Sequence, residues 1–300
     1  MRILITGAGG FTGHHACEYF EEAGYEVIAV KRNKLSVNDN IVTEYCDLTD
    51  QFEVEKLINK TKPRYVLHLA GQNHVADSWE KPIESIQANM LTTSYLIEAM
   101  RKERITSKII VVGSALQFDL DDVTTLTHPY SLSKSLQVLV AKSWNKLYGV
   151  DVVIAKPSNI IGPGPSNGVC SIIARQIVRM EHNEEISREI AINNPYIQRD
   201  FIDVRDVIKG YNTLFQKGVS GETYEIASGQ SYLLMDVIET MKSISKVQFK
   251  VKSHQKVKEK PVQINPRKLR DLGWTTTIPF STSIDDVFQY FRKEHSNNKK

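Results

Sequence analysis

The chain has 300 residues, 41% hydrophobic and 24% charged, with a formal net charge of +3. That length suffices for one large α/β unit or two smaller domains, and so small a charge, with basic residues concentrated only at 242–270 and at the tail, argues against nucleic-acid binding. No apolar stretch approaches the ~20 residues needed to cross a membrane, the apolar start is too short for a signal peptide, and Cys17, Cys46 and Cys170 lack metal-type spacing and fit a reducing cytoplasm, so neither a membrane partner nor a metal is expected.

The first element is the run Ile3-Leu4-Ile5, which leads straight into a loop carrying Gly7, Gly10 and Gly13, with Phe11 and Thr12 between the last two. A helical segment over 13–23 and a strand at Val27–Val30 follow. This strand–glycine loop–helix–strand order is that of a dinucleotide pyrophosphate site. Gly7 allows the tight turn off the strand, Gly10 the close approach of backbone to phosphate, and Gly13 the close packing of helix on sheet. The exposed N–H groups at the helix start then face the negative charge. The spacing is GxxGxxG rather than the commoner GxGxxG, and it is the flanking strand and helix that give it meaning.

Further strands are expected at Val66–Leu69, Ile109–Val112 and Val152–Ile154, with helices over 51–60, 83–103 and 131–148. Regular alternation over about 150 residues predicts a doubly wound parallel sheet of the Rossmann-like α/β class. The pattern changes after Lys156, where Gly162-Pro163-Gly164-Pro165 makes a rigid loop. Helices are expected over 172–180, 231–245 and 281–293, and RDFIDVRDV at 199–207 reads as a short strand returning to the first domain. The expected division is therefore 1–159 with about 196–215 as the dinucleotide domain, 160–195 with 216–293 as a smaller C-terminal substrate domain, and 294–300 as a tail.

Tyr130 and Lys134 lie four apart at the start of a helical segment, so both project from one face. They follow a strand whose carboxyl end carries Gly113-Ser114, and ligands of open parallel sheets sit beyond those ends. A free phenol has a pKa near ~10, and a neighbouring ammonium lowers it. The expected roles are Tyr130 as general acid/base on a carbonyl or carbinol oxygen, Lys134 as its tuner and a ribose ligand, and Ser114 as a hydrogen-bonding partner of the same oxygen.

With these residues in place, the chain resembles the extended short-chain dehydrogenases/reductases, in the branch acting on nucleotide sugars. The resemblance rests on TGAGGFTG at 6–13, CDLTD at 46–50, HLAGQ at 68–72, VADSWEKP at 75–82, Ser114 with YSLSK, KPSNIIGPG at 156–164, RDFIDVRDV at 199–207 and LGW at 272–274. It implies that Asp47 and Leu48 flank the adenine, and that Leu69, Ala70 and Gly71 line the ribose and nicotinamide. Asn89 would lie in the helix behind the site, and Lys156 and Pro157 would cover the nicotinamide side. Asn159 would face the sugar nucleotide, and Arg175 and Arg199 its diphosphate or ribose; forked guanidinium binding of phosphate gives the two arginines a physical reason as well. His74, Gln117 and Phe118 are placed near the sugar. The family also implies a homodimer through the helices at 83–103 and 131–148.

Two departures narrow the choice within the family. Nucleotide-sugar 4,6-dehydratases carry an Asp-Glu pair after the catalytic Ser/Thr; here Ala115 and Leu116 stand there, and neither transfers a proton. The second strand ends in Lys31-Arg32, where an NAD-specific fold places a carboxylate for the ribose hydroxyls; cations attract a 2′-phosphate, so NADP(H) is favoured over NAD(H). The chain is also similar to 4-reductases acting on GDP-4-keto-6-deoxy-mannose, which makes a reductase of an NDP-4-keto-6-deoxy-hexose the leading expectation. The alternatives are an NDP-sugar 4-epimerase with tightly bound NAD, and a non-catalytic cofactor-binding scaffold.

Overall fold

The computed structural model describes residues 1–32, 41–116, 118–183, 187–253 and 264–297. In chain order the first elements are β1 (Arg2–Thr6), α1 (Phe11–Glu22), β2 (Glu26–Lys31), β3 (Val42–Tyr45), α2 (Gln51–Thr61), β4 (Tyr65–His68), α3 (Val75–Glu80), α4 (Pro82–Ile86), a π turn (Gln87–Leu91), α5 (Thr92–Lys102), β5 (Lys108–Val112), α6 (Pro129–Tyr148) and β6 (Asp151–Pro157). They continue with β7 (Asn159–Ile161), α7 (Val169–His182), β8 (Glu189–Ile192), β9 (Gln198–Asp203), α8 (Val204–Lys217), β10 (Thr223–Ile226), β11 (Ser231–Leu233), α9 (Leu234–Ile244), β12 (Lys250–Ser253), α10 (Arg267–Arg270) and α11 (Phe280–Asn297).

A seven-stranded sheet has the order β10-β6-β5-β4-β1-β2-β3. Strand β1 pairs in parallel with β2 and β4, and β2/β3, β4/β5 and β5/β6 are parallel too. The expected Rossmann-like architecture is thus present. Two smaller sheets, β11-β9-β7 and β12-β8, accompany it. The chain divides into two compact units: 1–157 with 208–224 and 271–273, and 158–207 with 225–270 and 274–300.

The central strands of the first unit are apolar on both faces, as helix-covered parallel strands must be. Ile3, Leu4, Ile5, Val66, Leu67, Ile109, Ile110 and Val111 are each inaccessible to solvent. One face packs against Val54, Leu57 and Ile58 of α2, Leu96, Ile97 and Met100 of α5 and Ala141 of α6. Helix α2 starts at a capped end, where the Asp50 carboxylate accepts from the N–H groups of Phe52 and Glu53. The second unit has its own core, in which α7, α9 and α11 bury Ile173, Ile177, Val237, Ile238, Val287 and Phe288 together.

Four expectations need correction. The helix expected over 83–103 is broken by the π turn, because Thr92, Thr93 and Ser94 donate their hydroxyls to the carbonyls of Ala88, Asn89 and Met90 and loosen the ladder there. RDFIDVRDV does not return to the first unit: its strand β9 pairs with β7 and β11 in the second. The unit boundaries move accordingly, with 196–207 in the second unit and 216–224 in the first. The expected tail is helical as far as Asn297. Removing the α2 cap by Asp50→Ala is expected to lower the unfolding free energy by about 1 kcal/mol, measured by urea denaturation.

Candidate active site

The first unit gathers most of the residues singled out by sequence at one edge of its sheet. Parallel strands present their carboxyl ends together: β1 leads into Gly7, β4 into Leu69-Ala70-Gly71 and β5 into Gly113-Ser114, and β6 closes on Lys156-Pro157. Gly7 has φ of +68°, in the left-handed region, and a Cβ there would sit 2.8 Å from the Ala70 nitrogen. At Gly13 a Cβ would collide with the carbonyl oxygen of Gly7. The turn is therefore closed against both β4 and its own helix, with room only for glycine. Gly10 is the N-cap of α1 and offers no side-chain acceptor, so Phe11 and Thr12 open the helix with their N–H groups uncapped by a side chain. Such a cradle fits a pyrophosphate. The Oε1 atom of Gln72, just past Gly71, is buried without a hydrogen-bond partner among the described residues, an acceptor that suits a hydroxyl or carboxamide N–H of a dinucleotide and not its phosphates.

Helix α6 begins at Pro129, with the His128 Nδ1 accepting from the Ser131 N–H at 2.9 Å as its cap. Tyr130 and Lys134, one turn apart, are both buried, as is Ser114. The Ser114 hydroxyl lies near enough to the Tyr130 phenol to act on its titration, and it also accepts from the Leu116 N–H. Lys134 donates from Nζ to the Val112 carbonyl at 2.7 Å, which ties it to the end of β5. Ser78 of α3 donates to the Val75 carbonyl and accepts from the Tyr130 N–H, anchoring the start of α6.

Burial, and not the lysine charge, governs the titration of this set. Desolvation pushes the Tyr130 phenol up, with the Ser114 hydroxyl opposing it more weakly. The same burial pushes the Lys134 amine down from 10.5 to about 7. The expectation that Lys134 holds the phenol below its free value is not met in this geometry, because a low-dielectric surround disfavours the charged form of both groups.

Of the other expected cofactor residues, Lys31 ends β2, with Arg32 exposed just beyond it. Asp47 organises the turn before α2: its carboxylate accepts from the Thr49 N–H at 3.0 Å and the Thr49 hydroxyl at 2.7 Å. These bonds hold its pKa below the usual carboxylate range, with the nearby Arg32 adding a smaller effect. Leu48 packs beside the core. His74 is the N-cap residue of α3, and its carbonyl accepts from Gln72 Nε2 and the Ser78 N–H. The Phe118 N–H donates to the Ser135 hydroxyl. Gln117 lies outside the described residues.

In the second unit Asn159 and Arg199 are joined through one strand. Asn159 Nδ2 donates to the Asp200 carbonyl at 2.8 Å, and Arg199 Nη1 to the Gln198 carbonyl at 2.8 Å. Asp200 itself is buried, and its carboxylate accepts from the Ser158 hydroxyl, the Ser228 N–H and hydroxyl, and the Gly229 N–H. Beside this knot lies a cavity of about 400 Å³, lined among others by Gln198, Gly229, Asn265 and Arg270. Arg270 donates to the Ser228 carbonyl. Arg175 stands apart from this group, on α7, with its guanidinium 4.9 Å from the Phe291 ring centre. Sequence reasoning missed Asp200, Arg270, Ser78 and His68. Each sits inside or beside a recognised motif, but its partner lies far along the chain.

This fold and this site define the extended short-chain dehydrogenase/reductase class. The chain belongs to the NAD dependent epimerase/dehydratase family, whose model matches residues 3–227. Among curated relatives, the GDP-6-deoxy-D-mannose reductase of Pseudomonas aeruginosa is 26% identical over 95% of both chains. Among solved structures, RMD from Pseudomonas aeruginosa complexed with NADPH has a TM-score of 0.84 at 25% identity, covering 98% of this chain and 99% of that one. The UDP-glucose 4-epimerase of Thermotoga maritima, with UDP-glucose, has a TM-score of 0.86 at 24% identity over 98% and 100%. The protein is thus an enzyme of the nucleotide-sugar epimerase/dehydratase/reductase group, in a family that binds NAD(P). Among the described residues no helix is long and apolar enough to cross a membrane, and no cluster of three or more His, Cys, Asp or Glu could hold a metal ion.

The Lys134 shift has a consequence for stability. Between about pH 7 and pH 10.5 the unfolded chain binds a proton on Lys134 that the folded chain does not. Its burial therefore opposes folding fully below about pH 7, and the cost disappears as pH rises to about 10.5. Lys134→Met is expected to raise the thermal midpoint clearly at about pH 6 and hardly at all at about pH 10, by differential scanning fluorimetry.

Proposed function

We propose that the protein is an NADPH-dependent reductase of an NDP-4-keto-6-deoxy-hexose, with the GDP-4-keto-6-deoxy-mannose type favoured. The observation that carries this reading is the buried Ser114–Tyr130 hydroxyl pair next to Lys134, followed by two residues, Ala115 and Leu116, without any acid or base function. That set handles one proton at one oxygen, which is what carbonyl reduction needs. It lacks the further carboxyl pair that expelling a C6 hydroxyl needs. The similarity to GDP-6-deoxy-D-mannose reductase over 95% of the chain supports the same choice.

Gly7, Gly10, Phe11, Thr12 and Gly13 are assigned to the pyrophosphate of the dinucleotide, Asp47 and Leu48 to its adenine, and Leu69, Ala70, Gly71, Lys156 and Pro157 to its ribose and nicotinamide half. Lys31 and Arg32 are assigned to a 2′-phosphate. The bound dinucleotide supplies the hydride that the substrate carbon takes up. Ser114 donates to the C4 carbonyl oxygen and orients it. Tyr130 transfers its hydroxyl proton to that oxygen as negative charge develops, and its high pKa keeps it protonated and ready to donate at neutral pH. Lys134, close to half protonated near pH 7, returns charge to the site as the phenolate forms. Asn159, Arg175 and Arg199, with His74 and Gln117 toward the sugar, are assigned to the nucleotide-sugar substrate. Arg270 joins them for its place at the 400 Å³ cavity, which Gln198, the residue before Arg199, also lines. The exposed apolar side chains Leu139 and Leu147 on α6 support a homodimer through that helix, which light scattering after size-exclusion chromatography tests. The three buried free cysteines fit a reducing, cytoplasmic setting.

Purified protein is mixed with NADPH and a panel of 4-keto-6-deoxy sugar nucleotides, and the absorbance of reduced nicotinamide is followed. Loss of absorbance with one of them is the expected result, and Tyr130→Phe is expected to lower kcat by about a thousandfold. Isomerisation of an NDP-sugar without added cofactor, with NAD carried through purification, would instead make the protein a 4-epimerase. Arg32→Glu is expected to raise the KM for NADPH about tenfold, or ~1.4 kcal/mol, and to leave that for NADH nearly unchanged; equal effects on both would remove Arg32 from the cofactor assignment.

A further inference from the structure

Between the cofactor-side strand ends and helix α6 lies a set of buried polar side chains that the roles above do not use. Asn89 donates from Nδ2 to the Ser133 hydroxyl at 2.8 Å, and Gln137 donates from Nε2 to the Thr93 hydroxyl at 2.9 Å. Asn89 and Thr93 are four residues apart on one helical segment, and Ser133 and Gln137 are four apart on the other. The two bonds are consecutive rungs between facing helices. All four side chains are buried, Asn89, Thr93, Ser133 and Gln137 being each inaccessible to solvent.

The inner rung is tied at both ends. Asn89 Oδ1 accepts from the Gln72 N–H, and Asn89 Nδ2 also donates to the Gln72 carbonyl, while the Ser133 hydroxyl donates to the Tyr130 carbonyl. The outer rung is tied to the sheet. Thr93 donates its one proton to the Asn89 carbonyl, so at its 2.9 Å contact with His68 the imidazole Nε2 must be the donor. Nδ1 is then the bare nitrogen and accepts from the Thr6 hydroxyl at 2.8 Å. Thr6 in turn accepts from the Ala70 N–H. Burial, reinforced by nearby Lys134, pushes the His68 pKa down to about 3, so the ring carries one proton, and the Thr93 contact places it on Nε2. Gln137 makes one contact of this kind: its Oε1 has no hydrogen-bond partner among the described residues.

We propose that Gln137 and His68 are positioning residues of the reaction: with Thr93 they form the outer rung of a buried ladder that sets the register of α6, and so of Tyr130 and Lys134, against the strand ends after Thr6 and His68. This rests on the proposed role of Tyr130 as proton donor. Close packing resists displacement of a helix, and two polar rungs at equal spacing add the penalty of unpaired buried groups to any other register. The rotation of Tyr130 about the α6 axis is set by the same bonds.

Gln137→Leu and Thr93→Val remove the outer rung, and Thr93→Ser keeps the hydroxyl. Two readouts are taken on each full-length variant: steady-state kinetics with NADPH and the sugar nucleotide that turns over, and an NMR titration of the Tyr130 phenol, labelled at Cζ and assigned by its loss in Tyr130→Phe. The expected result for both Q137L and T93V is a kcat lower by about tenfold, with KM changed by less than about twofold, and a Tyr130 titration moved toward that of a free phenol. T93S is expected to retain the kcat and titration of the parent. In the parent, His68 is expected to show Nε2–H as its one tautomer and no titration between about pH 5 and about pH 9. Folded Q137L and T93V with unchanged kcat and unchanged Tyr130 titration would overturn the proposal, as would a His68 protonated on Nδ1. Should Q137L not fold, the nearly isosteric T93V against T93S decides alone. If no sugar nucleotide turns over, the proposed reaction fails, while the Tyr130 and His68 spectra still decide the ladder.

Discussion

In the first unit everything depends on strands that run the same way. A parallel sheet needs crossover helices, and those helices cover both of its faces, so its one open place is the edge where the strands end. The carboxyl ends of β1, β4, β5 and β6 stand side by side there. Residues from sequence positions as far apart as Gly7, Ala70, Ser114 and Lys156 are brought to one line by that rule alone. The glycine turn adds a steric condition, because no side chain at Gly13 fits against the Gly7 carbonyl.

The second constraint is electrical. Tyr130 and Lys134 are both buried in the protein, where a phenolate and an ammonium are each costly. The structure keeps the pair near neutrality by moving the amine down to about 7 and the phenol up. For the proposed carbonyl reduction, a proton donor with a high pKa and a nearby amine that titrates near neutrality would form a matched set: the donor keeps its proton at neutral pH, and the amine would supply positive charge as a phenolate forms. Several polar side chains around them meet the cost of burial by hydrogen bonds, as in the bonds of His68 to Thr6 and Thr93.

The second unit is organised differently. Asn159 and Arg199 sit on the short strands β7 and β9, whose Ile161 and Phe201 pack in one core with α11, and a single buried carboxylate does the joining. Asp200 takes hydrogen bonds from Ser158, Ser228 and Gly229, and so holds the start of β7, the strand β9 and the turn before β11 together. Asn159 and Arg199 are its immediate neighbours in space or sequence. Asp206 plays a similar part beyond β9, accepting from the N–H groups of Thr277 and Ile278 and the Thr277 hydroxyl. That closes the segment after LGW onto the start of α8.

Much of the first unit was legible in the sequence because its signals are local. Apolar runs such as Ile3-Leu4-Ile5 and Ile109-Ile110-Val111 mark strands wherever they stand, a glycine turn between strand and helix marks a phosphate cradle, and a four-residue spacing puts Tyr130 and Lys134 on one face. The weak edge strand β3, half exposed and four residues long, carries no such signal and was missed. The π turn at Asn89 was missed too, since it follows from three hydroxyls competing for carbonyls and not from any change in periodicity. What tertiary structure alone decided is of a different kind. Which partner β9 takes, which proton His68 carries and which way burial moves the pKa of Tyr130 all depend on residues tens of positions away, because hydrogen bonds and desolvation act through space and not along the chain.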